Sequence, residues 1–230
     1  MRQIILDTET TGLNPLTGDR IIEIGCLEMI DRRLTGAKLH HYINPQRDID
    51  AGAVAVHGLT VEFLSDKPVF AHVADEIITF LKDAEIIIHN APFDVGFLDM
   101  ELGLLKRGKL TDHTGVIVDT LKNAREMFPG KRNSLDALCE RFGISNEHRT
   151  LHGALLDAEL LAEVYLAMTR GQEDFLMDDM HSQSSAAQAK RQPLPTNLVV
   201  QLASIEEKEA HEAYLEGLSK AAKKPAVWNN

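Results

Sequence analysis

The chain has 230 residues, 44% of them apolar, enough for one full domain with a packed core plus a smaller appendage, which excludes wholesale disorder. Its formal net charge is −11: residues 1–170 hold 18 Lys+Arg against 26 Asp+Glu and the remainder 6 against 9, so neither part is a basic platform for gripping long DNA. No apolar run approaches the ~20 residues that cross a bilayer.

In chain order, Arg2 to Leu6 reads as a short buried strand that ends at an acidic pair. Arg20 to Ile30 is a second strand and Leu34 to Ile43 a third, joined as a hairpin through Asp31, Arg32 and Arg33. Residues 44–66 read as loop, with a short turn around Val56-His57-Gly58-Leu59-Thr60. The spacing of Phe70, Val73, Ile77, Ile78 and Leu81 predicts a helix over 70–81. Glu85 to His89 is a strand, and a helix follows Pro92 and runs to Leu105, since proline suits a first helical turn. Val116 to Val118 is another short strand. Helices are expected from Thr120 to Phe128, stopped by Pro129-Gly130, and from Leu135 to Phe142, capped by Ser134 and stopped by Gly143. A last long helix runs from near Gly153 to Arg170-Gly171. Strands come first and then alternate with helices, which fits an α/β domain with a mixed sheet.

Composition shifts after Gly171. Residues 181–192 are small and polar, and Pro193 and Pro195 follow, which is linker chemistry. Ile205 to Leu218 is then a short helix, too small for a core of its own and suited to docking on a partner. Trp228 is the only tryptophan and stands near the end of the chain. Cys26 and Cys139 each sit in an apolar stretch and read as buried free thiols; no Cys/His cluster has zinc spacing. Ile4, Ile5 and Leu6 run straight into Asp7 without the form of a signal peptide, so the expected compartment is the cytoplasm.

Three separated motifs carry the chemistry: Asp7-Thr8-Glu9-Thr10-Thr11-Gly12, His89-Asn90-Ala91-Pro92-Phe93-Asp94 and His152-Gly153-Ala154-Leu155-Leu156-Asp157. Asp7 and Glu9, two apart at a strand end, share a face, and two carboxylates on one face repel unless a cation neutralises them. Asp94 falls in the first turn of a helix, where the helix dipole also favours a carboxylate. His89 and Asn90 end the preceding strand and read as a hydrogen-bonding corner. His152 and Asp157 on one helix would point about 140° apart, so His152 belongs in the turn before the helix and Asp157 inside it. Oxygen ligands of this kind suit hard divalent cations such as Mg²⁺ or Mn²⁺. A histidine beside them, with an unperturbed pKa of about 6.5, can accept a proton near neutral pH. No glycine loop of the G-x-x-x-x-G-K-[ST] type is present for a kinase or phosphate-carrier reading.

Asp7-x-Glu9, Asp94 and His152-(x)₄-Asp157 resemble the three motifs of the DEDDh exonuclease family, which has the RNase H-like fold. Within that family the resemblance is closer to the proofreading, epsilon-type subunits of bacterial DNA polymerase III. It rests on Asp7 to Gly12, Val56-His57-Gly58, the run Phe128 to Cys139, and the run Arg149 to Ala158. The resemblance implies an RNase H-like mixed sheet flanked by helices over residues 1–171, a linker with a sliding-clamp peptide over 172–197, and a polymerase-binding segment over 198–230. It implies a 3′–5′ exodeoxyribonuclease with two divalent cations, Mg²⁺ or Mn²⁺, about 3.5–4 Å apart. Asp7 would bridge them, Glu9 and Asp157 would complete one site, Asp94 would support the second, and His152 would be the general base. Asp7, Thr8, Glu9, Thr10, His57, Asn90 and Asp157 would meet the terminal nucleotide. Such proteins often carry an acid five residues before the histidine, where this chain has Gly52. The implied partners are a DNA 3′ end, the polymerase catalytic (alpha) subunit through 198–230, a sliding clamp through Gln172 to Met177 and a small theta-like accessory subunit. The motifs also admit a DEDDh exoribonuclease; an inactive interaction subunit is the rival from another class, against which the intact set of five acid and base residues argues.

Overall fold

β1 runs from Arg2 to Thr10, four residues beyond the apolar run. Its alternation decides the architecture. Ile4 and Leu6 face one core cluster, with the helices α3 (Phe70–Leu81) and α4 (Ala91–Leu104). Ile5 faces a second cluster, with α6 (Leu135–Phe142) and α7 (Ala154–Met168). A strand covered on both faces has no polar side to show, hence its unbroken Ile-Ile-Leu.

The computed structural model describes residues 1–146, 151–170 and 204–222. The chain divides into two units, Met1–Asp178 and Asp179–Asn230. In the first, β2 (Ile21–Ile30) pairs antiparallel with β1 and with β3 (Arg33–Tyr42), while β4 (Glu85–Ile88) and β5 (Ile117–Asp119) add in parallel. The order is β3-β2-β1-β4-β5, the mixed sheet expected. The β2–β3 turn is a tight one: Asp31 and Arg32 both have positive φ (48° and 63°), the primed geometry whose twist matches a hairpin.

Residues 44–66 depart from the loop reading. They contain two short helices, α1 (Ala51–His57) and α2 (Val61–Leu64). In α1 only His57 is buried, so no apolar stripe repeats at helical spacing and periodicity has nothing to detect. Its end was nevertheless written in the chain: Gly58, at φ 74°, closes it in the left-handed conformation. α2 is capped by Thr60, whose hydroxyl accepts from the Phe63 N–H. Apart from β1, the other expected strands and helices of the first unit, including α5 (Thr120–Met127), fall within two residues of their expected ends. Cys26 and Cys139 are buried and unbridged, as expected.

In the second unit, α8 (Ile205–Ala222) extends four residues past the expected Leu218. Ser204 and Glu207 form a capping box: the Glu207 N–H donates to Ser204 Oγ at 3.1 Å, and the Ser204 N–H donates to Glu207 Oε2 at 2.8 Å. The expectations for Arg149 and Thr150, the linker at 181–192, the peptide 172–177, residues 198–200 and Trp228 lie outside the described residues.

One glycine fixes how α7 meets the sheet. Gly25 is the cross-strand partner of Asp7, and a Cβ there would collide with the backbone of Ala154 and Leu155. The missing side chain lets the N-terminus of α7 lie directly on β2. Gly25→Ala is expected to cost about 1–3 kcal/mol, the usual penalty of overpacking. It should also depress activity by displacing the first turn of α7. Urea unfolding beside a hydrolysis assay checks both, and an unchanged midpoint would refute the close-approach argument.

Candidate functional site

Extension of β1 past its apolar run places Asp7, Thr8 and Glu9 on alternate faces of one strand end. Asp7 and Glu9 share the face of Ile5, toward α7. Thr8 takes the opposite face, where its hydroxyl donates to Asp94 Oδ1 at 2.6 Å. β1 therefore addresses α7 with its acids and α4 with its threonine.

Asp94 sits in the first turn of α4 and is 3% exposed. Burial pushes its carboxyl up to about 7; the hydrogen bond from Thr8 opposes this, and the charge of Asp119 adds to it. A divalent cation within reach would reverse that balance and favour the carboxylate. Asn90 begins the helix in the left-handed conformation (φ 68°), and its N–H donates to Asp119 Oδ1 at 3.1 Å. The same Asp119 oxygen caps α5 through Leu121 and Lys122. His89 Nδ1 lies 2.9 Å from Thr120 Oγ1. His89 and Asn90 thus form the expected corner, tied to β5 and α5 by residues that sequence pattern did not single out.

His152 precedes α7 and Asp157 lies within its first turn, as their spacing required. The two converge: His152 Nδ1 is 3.2 Å from Asp157 Oδ2. Asp157 is 3% exposed, whereas the His152 side chain is 42% exposed and within reach of water. The His152 N–H donates to the Val56 carbonyl at 3.1 Å, which anchors the turn to α1. Ligand atoms of Glu9, His152 and Asp157 all lie within 4.8 Å of one another.

These residues line one cleft of about 560 Å³, with Asp7, Thr8, Asn90 and Asp94. Thr10 and His57 do not line it. Both are buried: Thr10 Oγ1 donates to the Gly12 carbonyl at 2.6 Å, and His57 Nδ1 accepts from the Leu59 N–H at 3.0 Å. Burial lowers the His57 pKa, with the Thr10 carbonyl and Glu23 opposing. A Cβ at Gly52 would meet nothing within 4 Å, so a larger residue there is sterically open.

The structure adds residues that pattern reading missed. Glu23, 3% exposed, lies opposite Glu9 in the ladder, with His40 Nε2 at 2.7 Å from its carboxylate. Its signal was a charged residue inside the apolar run of β2. Arg125, Lys131, Asn133, Ser134 and Asp136 form a further wall of the cleft. Four of these five fall in the run Phe128 to Cys139, singled out as a family mark and given no task.

An oxygen-rich set of this geometry fits divalent cations: two partly buried acids on one strand, two buried acids in the first turns of α4 and α7 from the two faces of the sheet, and convergent ligand atoms.

Comparison with known proteins follows the same lines. An exonuclease family model, of RNase T type, matches residues 4–165. The DNA polymerase III subunit epsilon of Salmonella typhimurium is 52% identical over 229 residues, covering 95% of this chain and 94% of that protein. The subunit epsilon of Pasteurella multocida is 49% identical over 236 residues, covering 99% and 93%. Exonuclease X in complex with 5′ overhanging duplex DNA superposes with a TM-score of 0.57 at 26% identity, over 73% of this chain and 91% of that one. The nuclease domain of 3′hExo, a DEDDh family member bound to rAMP, gives a TM-score of 0.63 over 74% and 92%; at 18% identity it speaks for the fold alone.

Proposed function

The chain belongs to the exonuclease family, in its branch of DNA polymerase III epsilon subunits, and from that premise we propose how its cleft performs proofreading. It is a metal-dependent 3′–5′ exonuclease of the replicative polymerase, removing nucleotides one at a time from a DNA 3′ end. The observation that carries the residue assignment is the convergence of Glu9, His152 and Asp157 in a cleft also lined by Asp7 and Asp94.

Asp7, Glu9, Asp94 and Asp157 would hold two divalent cations, Mg²⁺ or Mn²⁺, which lower the pKa of water and balance charge on the leaving 3′-oxygen. Asp7, at the end of β1, would be the ligand shared by both cations. His152 takes the proton of the attacking water as general base. The contact with Asp157 holds its ring beside the acids, and its exposure lets the proton pass on to solvent. Thr8, Glu9 and Asn90 meet the terminal nucleotide directly. Thr10 and His57 support that pocket from behind, and with Gly52 in place of an acid the contact to the terminal sugar is either missing or supplied by backbone.

A net charge of −11 weakens free association with DNA, which a proofreader tolerates because the polymerase holds the duplex. Frayed mismatched ends lose less pairing energy on separation, so selectivity arises largely in the DNA. Residues 198–230, including the capped helix α8, take the polymerase catalytic (alpha) subunit, 172–177 the sliding clamp, and the nuclease domain a theta-like subunit, all in the cytoplasm.

The test is a single-turnover comparison of end-labelled DNA and RNA single strands with Mg²⁺ or Mn²⁺. Expected is stepwise release of 5′-nucleotides from the 3′ end, with DNA preferred. A preference for RNA would move the chain to the ribonuclease branch, and no shortening of either strand would remove the assignment.

A further inference from the structure

The floor of the cleft is acidic, yet a strand of phosphodiesters has to lie across it. The wall formed by α5 and the α5–α6 loop supplies the compensating charge. Arg125, in the last turn of α5, and Lys131, in the α5–α6 loop, line the cleft, are exposed, and make no ion pair among the described residues. Arg125 is near enough to His89 to help lower that ring's pKa, behind burial as the main cause.

The loop that carries Lys131 is locked. Asn133, 7% exposed, donates Nδ2 to the carbonyls of Lys131 (3.1 Å) and Phe128 (3.3 Å). Arg141 donates Nη1 to Asn133 Oδ1 (3.0 Å) and Nη2 to the Arg132 carbonyl (2.7 Å), and its guanidinium lies 4.4 Å from the centre of the Phe128 ring. Gly130, at φ 73°, makes the turn. A side-chain network this extensive, spread over the seven-residue loop 128–134, fixes where one lysine stands.

We propose that Arg125 and Lys131 form a subsite for the substrate strand's backbone phosphates next to the scissile one, with Asn133 and Arg141 as positioning residues. The proposal rests on the exonuclease reading. The subsite recognises phosphate and no base, so it suits an enzyme that must accept any 3′ end. It also gives the Phe128–Cys139 run a task.

The experiment uses the full chain and two substrates: a short DNA oligonucleotide, and a p-nitrophenyl ester of a 5′-mononucleotide, which has no neighbouring phosphate. For Lys131→Ala and Arg125→Ala, the ratio of kcat/KM on the oligonucleotide to that on the ester should fall about tenfold, equally for all sequences. The slope of log KM against log salt should fall by about 0.7 for each cation removed. Lys131→Arg, which keeps the charge, should hold the ratio. Arg141→Ala should lower the ratio with a smaller change of salt slope. An unchanged ratio and slope in both alanine variants would overturn the subsite while leaving the exonuclease reading intact. Wild-type protein that cleaves neither substrate would overturn both.

Discussion

Asp157→Ala and Asp7→Ala are each expected to abolish hydrolysis while the protein stays folded. Asp157 is 3% exposed and faces Glu9 and His152; Asp7 stands where the acids of β1 meet the N-terminus of α7. Carboxylates brought this close repel one another, so neutralising one relieves strain in the metal-free fold. The same change removes a proposed metal ligand, on which charge stabilisation in the transition state would depend. That stabilisation is several kcal/mol, and at about 1.4 kcal/mol per tenfold in rate the loss is at least about a thousand-fold. Single-turnover rates at saturating Mn²⁺, beside thermal melts without metal, make the measurement. The melting temperature of each variant should equal or exceed that of the parent. A variant retaining a tenth of the parent rate would exclude that residue as a ligand. A variant that fails to fold would assign it a structural role instead.

Legibility followed the physics of each element. β1, β4 and α3 were readable because burial leaves unbroken apolar runs or a helical stripe, and both are properties of sequence alone. The hairpin was readable from Asp31 and Arg32, whose types tolerate a turn. α1 was not, because a helix made of Ala, Gly and Val with one buried residue has no periodicity to find. The three acidic motifs could be found by residue type, and the angular argument placed His152 outside its helix. Glu23 and Asp119 could not, since their importance lies in what stands opposite them across strand and corner. Thr10 and His57 show the converse case. Thr10 belongs to the first motif and His57 stands far from all three in sequence; Thr10 lies past the irregularity between Glu9 and Thr10 with its hydroxyl on the Gly12 carbonyl, and His57 is buried at the end of α1. Sequence identifies which groups can do chemistry, but alternation and register decide which of them reach the cleft.

His152→Ala separates proton transfer from metal binding. Its side chain touches Asp157 but is the most exposed of the convergent set, and its backbone is held by Val56 independently of the ring. Removing the imidazole therefore leaves the four carboxylates in place. General-base catalysis contributes about 10²–10⁴-fold, so the rate at neutral pH should fall by that amount. Mn²⁺ affinity, measured by calorimetry, should change by less than about tenfold, because the hard-cation site is made of oxygen. Raising the pH should recover part of the loss, since hydroxide becomes available without a base, and added imidazole should recover more in the variant than in the parent. A structural role would show the opposite pattern: lower metal affinity, a lower melting temperature and no response to imidazole. Near-normal turnover of the variant would remove the base assignment and pass the proton to another group in the cleft. His89 is a poor heir, because its ring is tied to Thr120 in the corner and burial holds it toward the neutral form. His57 is screened from the cleft. The exposed imidazole beside the buried Asp157 is what makes His152 the proposed base, able to hand a proton on to solvent.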